Sequence, residues 1–344
     1  MEFLLEYGLF LAKSVTVVIA VIVIVSAIAV ASQRNKRESS DGHIEVTTLN
    51  HKFEDWEDML KFEILDEADF KKDRKAKKKQ EKQDRKKGSD ETRKRLFVLD
   101  FDGDMSASDV EFLRHEISAV LTVAKPEDEV LLRLESPGGM VHSYGLASSQ
   151  LQRIRSHGIP LTISIDRVAA SGGYMMACIG SRILAAPFAV IGSIGVVAQL
   201  PNFNRLLKKH DVDIELHTAG AHKRTLTMVG ENTDEGRQKF KEELEDTHVL
   251  FKEFVSENRP QLDIDHIATG EVWYGTRALD QKLIDEVRTS DDYLLSKRLD
   301  TDLYSVKYRQ KRSLPERLGF AAETAVNRGV SNLLGKLTQN RYWG

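Results

Sequence analysis

Residues 161–180 read LTISIDRVAASGGYMMACIG, and their reading decides the fold. LTISIDRV alternates as a strand does, while the stretch from Tyr174 is an apolar run of helical type. Between them lie only small residues, Ala169 to Gly173, with one hydroxyl, Ser171, at the centre. A strand that passes into a helix through so bare a turn either packs its backbone closely or presents that serine. Upstream, RLFVLDFDG (95–103) and EVLLRLES (129–136) are strands. SASDVEFLRHEISAVLTVA (106–124) is a helix opened by a Ser106–Asp109 capping signal, and HSYGLASSQLQRIRSHG (142–158) is a helix closed by Gly158. IPLTISID (159–166) is the next strand. Strands and helices alternating in this way predict an α/β fold with a parallel or mostly parallel sheet and right-handed crossovers. Downstream, RILAAPFAVIGSIGVV (182–197) adds short strands around Pro187 and Gly192. VDIELHTAG (212–220) alternates as a further strand, and Asp234–Asn258 is a charged helix.

The 344 residues are enough for one large domain or two ordinary ones. Hydrophobic residues make up 41% and charged residues 30%, which excludes a disordered chain. The net charge of −3 hides an asymmetry: residues 71–95 hold 14 Lys and Arg against 5 Asp and Glu, so this block carries +9 and the remainder −12. A single cysteine, Cys178, excludes an intramolecular disulfide and a cysteine-based zinc cluster.

From Ser14 to Ser32 the chain reads SVTVVIAVIVIVSAIAVAS, 19 residues without a charge. That length crosses the ~30 Å hydrocarbon core of a bilayer. Ala29-Val30-Ala31 resembles a signal-peptide cleavage site, but Lys13 alone precedes the run whereas Arg34, Lys36 and Arg37 follow it. The expectation is therefore an uncleaved, single-pass anchor, with the bulk of the chain in the cytoplasm. A second pass through residues 183–200 is rejected, because Pro187 and two glycines interrupt it. Residues 1–32 are then the anchor, and residues 33–94 a charged, Lys-rich helical or linker region. Residues 95–300 form the catalytic domain, and residues 301–344 a tail with a basic amphipathic helix. Within the charged region Phe53, Trp56, Met59 and Leu60 form one apolar stripe, and the basic tail after it is a solvated helix or a segment drawn to anionic lipid. The basic run lacks interleaved aromatics and matches no nucleic-acid module, so no nucleic-acid partner is expected.

Three stretches carry the chemistry: Ser136-Pro137-Gly138-Gly139, Ala169 to Gly173, and Ala219-Gly220-Ala221-His222-Lys223-Arg224. The first two stand at strand ends, where open α/β sheets place reacting groups. The glycines leave N–H groups unencumbered, and such groups beside a serine stabilise an oxyanion. The hydrolase elbow G-x-S-x-G does not apply, since Ala169 occupies the position of its first glycine. On the residues alone Ser171 is either a helix cap or a nucleophile. A nucleophile needs a base, for which His142, His217 and His222 are available, as is a neutral lysine, Lys223.

Ser136–Gly139, Ala170–Tyr174, Ile191–Gly195, Lys223 and Gly270–Leu279 occur in the order found in the S49 peptidases, the signal peptide peptidase A family, which this chain resembles over nearly its whole length. The anchor with the Lys-rich region is similar to one branch of that family. The resemblance implies a ClpP/crotonase-like fold of stacked ββα units. It implies Ser171 as nucleophile, Lys223 as general base and acid, and the N–H groups of Gly139 and Gly172 as oxyanion hole. Ile191, Gly192, Ser193, Ile194 and Gly195 would line a groove in which an extended peptide adds as a strand. No metal or organic cofactor is implied. The expected partners are peptides or unfolded protein segments, membrane lipids through the anchor, and further copies of the chain. Two rivals remain open: a crotonase-type acyl-CoA enzyme, which needs no serine, and a catalytically silent membrane scaffold.

Overall fold

The computed structural model of the protein describes residues 42–86, 93–220 and 223–310. The chain divides into two units: Ile44–Tyr308, and Met1–His43 with Arg309–Gly344, of which almost nothing falls within the described residues. The uncharged run Ser14–Ser32, His222 and the tail from residue 311 all lie outside them. Among the described residues no helix is long and apolar enough to cross a membrane.

A seven-stranded sheet has the order β1 (His43–Thr48), β10 (Thr301–Arg309), β2 (Lys94–Asp102), β3 (Glu129–Glu135), β4 (Leu161–Ile165), β6 (Arg182–Ala185), β9 (Glu286–Val287). From β10 to β9 every pairing is parallel. A second sheet of three short strands, β5 (Val168–Ala170), β7 (Val190–Gly192) and β8 (Val272–Tyr274), lies beside it. Successive strands alternate between the two sheets: β4 belongs to the first and β5 to the second, then β6 to the first and β7 to the second. The parallel α/β expectation therefore holds for the main sheet.

Period-two geometry explains both cores. Along β2, Phe97, Leu99 and Phe101 face helices α3 (Val110–Leu121) and α4 (Val141–Ser156), where Leu113, Ile117, Tyr144 and Leu151 are fully covered. Leu96 and Val98 face the other way, onto Tyr293 and Leu294 of helix α10 (Ser290–Lys297). Each fully buried Leu or Ile contributes about 1.5–3 kcal/mol over its exposed state. Cys178 is fully buried, its thiol directed at the Met175 carbonyl.

The charged region is a hairpin of α1 (Leu49–Ile64) and α2 (Glu67–Lys86), tied by Lys61–Asp73 and Lys77–Asp58 ion pairs. Its first turns belong to the main body. Leu49 and Phe53 pack on the second core, and Asn50 binds the Thr301 carbonyl and the Leu303 N–H. The boundaries expected at 94 and 300 thus run through one unit: β1 and α1 precede the first, and β10 follows the second as an inner strand. Three local expectations also change. Residues 43–45, within the stretch 33–45 read as linker, open β1. Asp109 precedes α3 without a side-chain cap, and Asp104 instead takes the Ser106 and Ser108 N–H groups. The alternating stretch 212–220 forms no strand, because among the described residues no strand edge meets it; Val212, Ile214 and Leu216 are exposed.

Candidate active site

Ser171 ends β5 and precedes helix α5 (Gly172–Ala177) at φ 53° and ψ −119°, a conformation that L-residues rarely adopt. It is held there from both sides. Its N–H donates to the Gly192 carbonyl at 2.8 Å, and its carbonyl accepts from Met175 N–H at 3.0 Å. Strain of this kind costs about 1–3 kcal/mol. The side chain makes no capping bond to the helix it precedes, and among the described residues its hydroxyl has no hydrogen-bond partner. The helix-cap reading of Ser171 is thereby removed.

The turn after β3 lies directly against it. Ser136 pairs with Ala169 across the two sheets, donating its N–H to Val168 and accepting from Ala170. Gly138 stands at φ 91°, and a Cβ there would meet the Ala170 carbonyl at 2.7 Å and the Gly172 nitrogen at 2.8 Å. A Cβ on Gly172 would run into the ring of Tyr144. Glycine is thus required at both places, one by conformation and one by close approach. Among the described residues neither the Gly139 N–H nor the Gly172 N–H donates a hydrogen bond. Two free donors flank a free hydroxyl.

A cavity of about 80 Å³ opens on this group. Gly139, Val141, Ser171, Gly172 and Met175 line it together with Gly195, Val196 and Val197. Thr247 and Phe251 of helix α7 (Asp234–Asn258) join them from the second half of the chain. Among the described residues that line it there is no carboxylate. Thr247, Phe251 and Met175 carry no motif, and only their helical spacing marks them as inward-facing.

The other expected residues are distributed unevenly. Gly195 reaches the cavity, but Ile191 and Ile194 are fully buried and Gly192 is buried against the Trp273 ring. Ser193 donates its N–H to the Glu271 carbonyl. Strand β7 already pairs with β5 on one edge and β8 on the other, so no peptide can add along Val190–Gly192. Lys223 is exposed, its N–H bonded to the Gly220 carbonyl at 3.2 Å, and it does not line the cavity. His142 is exposed at the start of α4, and His217 is exposed beside Glu215. The motifs do not reveal a further histidine: His248 follows the cavity residue Thr247 in sequence, and among the described residues its buried Nε2 has no partner.

The descriptions Peptidase family S49 N-terminal and Peptidase family S49 match residues 2–151 and 153–303. A protein named Probable protease SohB from Haemophilus influenzae is 52% identical over 337 residues, covering 95% of both chains. One of the same name from Buchnera aphidicola subsp. Acyrthosiphon pisum is 57% identical over 235 residues, 68% of this chain and 69% of that one. Among solved structures, a membrane-bound stomatin-specific protease in complex with a substrate peptide matches with a TM-score of 0.42 at 14% identity, covering 66% of this chain and 96% of that one. With both parts of the family pattern matched and this degree of identity along the whole length, the chain belongs to peptidase family S49.

Proposed function

We propose that the protein is a membrane-anchored serine endopeptidase that cleaves peptides or unfolded protein segments. One observation carries the reading: a strained, unpartnered Ser171 hydroxyl between two unclaimed backbone N–H groups. In this reading Ser171 attacks the scissile carbonyl, and the Gly139 and Gly172 N–H groups receive the oxyanion. Lys223 takes the serine proton and returns it to the leaving amine. The alternation of strands between two sheets is read as a stacked ββα fold of ClpP/crotonase type.

Lys223 has to come to Ser171. A lysine acts as a base only when neutral, which a buried setting favours. The stretch from Asp211 to Lys223 offers a route, since its apolar Val212, Ile214 and Leu216 stand in the open and call for a covering surface. A further copy of the chain supplies that surface, and the assembled oligomer seats Lys223 beside a Ser171. The unpartnered His248 Nε2 favours one variant of this reading, in which a histidine on α7 is the base.

Labelling with a serine-directed fluorophosphonate tests the nucleophile. The full-length protein is expected to label and to hydrolyse a fluorogenic peptide, whereas Ser171→Ala does neither. Loss of such a group costs on the order of 10⁴–10⁶ in rate. Ser171→Ala retaining a tenth of the activity would refute the assignment, and thioester turnover without labelling would favour the acyl-CoA reading.

A further inference from the structure

Behind the two free N–H groups lies a closed chain of hydroxyls. Gly138 N–H lies 3.1 Å from Ser136 Oγ, which is 2.5 Å from the Tyr144 hydroxyl, which is 2.8 Å from the Asp104 carbonyl. Ser136 and Tyr144 are both fully buried. The direction of every proton is determined by counting. The Asp104 carbonyl can only accept, so the single Tyr144 proton goes to it. Ser136 must then donate its own proton to Tyr144, which leaves its lone pairs for Gly138 N–H. Burial raises the Tyr144 phenol above its ordinary range, so it stays a donor.

The relay acts on the site through Ser136. The backbone of that residue is bonded to Val168 and Ala170 on the strand that delivers Ser171, while its side chain grips Gly138. The Ser136 bond holds the Pro137–Gly138 peptide plane, which meets the plane carrying the Gly139 N–H at Gly138, where φ is 91°. At its other end the turn is held by Met140 N–H on the Met105 carbonyl at 2.9 Å, next to the Asp104 carbonyl that receives the Tyr144 proton. The Tyr144 ring meanwhile lies against the α-carbon of Gly172. One side chain therefore touches the supports of both donors.

We propose that Tyr144 is a positioning residue for the oxyanion hole, aiming the Gly139 N–H through the Ser136 relay and backing the Gly172 N–H with its ring. The proposal rests on the reading of Ser171 as nucleophile. Tyr144 touches no substrate; it removes the freedom of the donors to turn away before the oxyanion forms. Preorganised donors of this kind are worth about 10²–10³ in rate apiece, and misaiming one is expected to lose part of that.

The test uses the full-length protein in detergent and compares wild type, Tyr144→Phe, Ser136→Ala and the double variant. Peptide kcat and KM are measured, with the second-order rate of fluorophosphonate labelling, in which the phosphoryl oxygen occupies the oxyanion position. Each single variant is expected to lower kcat and the labelling rate at least about tenfold with KM within about twofold. The double variant should be no slower than the slower single one, since both cut the same chain. Should Tyr144→Phe fail to fold, Ser136→Ala decides alone, because it cuts the relay and leaves the Tyr144–Asp104 bond. A kcat unchanged within twofold, a loss confined to KM, or losses that multiply in the double variant would overturn the proposal. Wild type that does not label would instead overturn the nucleophile itself, an outcome distinct from active wild type with unaffected variants.

Discussion

Ser171 bears backbone strain that glycine, with no Cβ, would not. Glycine adopts φ near +53° freely, so Ser171→Gly should be about 1 kcal/mol more stable than Ser171→Ala while equally inactive. Urea unfolding of the two variants measures the difference, and equal midpoints would show the turn to be unstrained. For the base, Lys223→Arg should be as inactive as Lys223→Ala, because a guanidinium stays charged. An active Arg variant, coupled with loss of activity in His248→Ala, would transfer the role to α7. A third residue governs pH. Burial raises Glu116 to about 7, with Asp100 and Asp109 adding to the effect and the Tyr308 N–H opposing it. The folded state thus binds a proton that the unfolded chain releases from its ordinary pKa of 4.5 upward. The stabilisation is complete below pH 4.5 and is lost as pH rises through about 7, by up to about 3 kcal/mol. Glu116→Gln keeps an acceptor for Tyr308 and should lose far less stability between pH 5 and pH 8 in urea titrations.

Elements differed in how far the sequence disclosed them, and the reason is physical in each instance. Strands β2, β3 and β4 and helices α3 and α4 were legible because each is long enough for its period to repeat against one core. Helix α4, expected from His142 to Gly158, runs from Val141 to Ser156. Strands β5 and β8 have three residues each, too few to show a period, whereas the equally short β7 was marked by the turn residues around Gly192. Strand β1 was hidden because an edge strand with exposed side chains reads as polar linker. Ser171, Gly139 and Gly172 stood out as motif residues. Tyr144 did not, since an aromatic at helical spacing reads as core and its hydroxyl matters only once Ser136 is opposite. Residues 212–220 failed in the reverse sense: alternation announces a strand only when an edge is available. If another copy supplies the covering surface, Ile214→Asp should dissociate the assembly and lower peptide hydrolysis in the same proportion. Light scattering alongside activity checks this, and a fully active monomer would refute it.

At the scale of the whole molecule, the N-terminal hairpin and the turns that carry Gly139 and Ser171 belong to one folded unit, so truncation at residue 94 should remove β1 and the α1 contacts and give a poorly folded product. Orientation is a separate matter of charge. Arg34, Lys36 and Arg37 after the uncharged run should retain Ser171 in the cytoplasm, and an alkaline-phosphatase fusion after residue 100 should therefore be inactive. High phosphatase activity would reverse the assignment without touching the chemistry. The core itself has a further use. Cys178 is the chain's sole cysteine, and burial raises its thiol well above the ordinary range. A thiol reagent should therefore find the native molecule silent and react only with copies that have opened. The labelling rate then counts openings of the core directly, at one site per chain, with no engineered probe. Any cysteine introduced on the surface, in turn, can be modified alone in the native state.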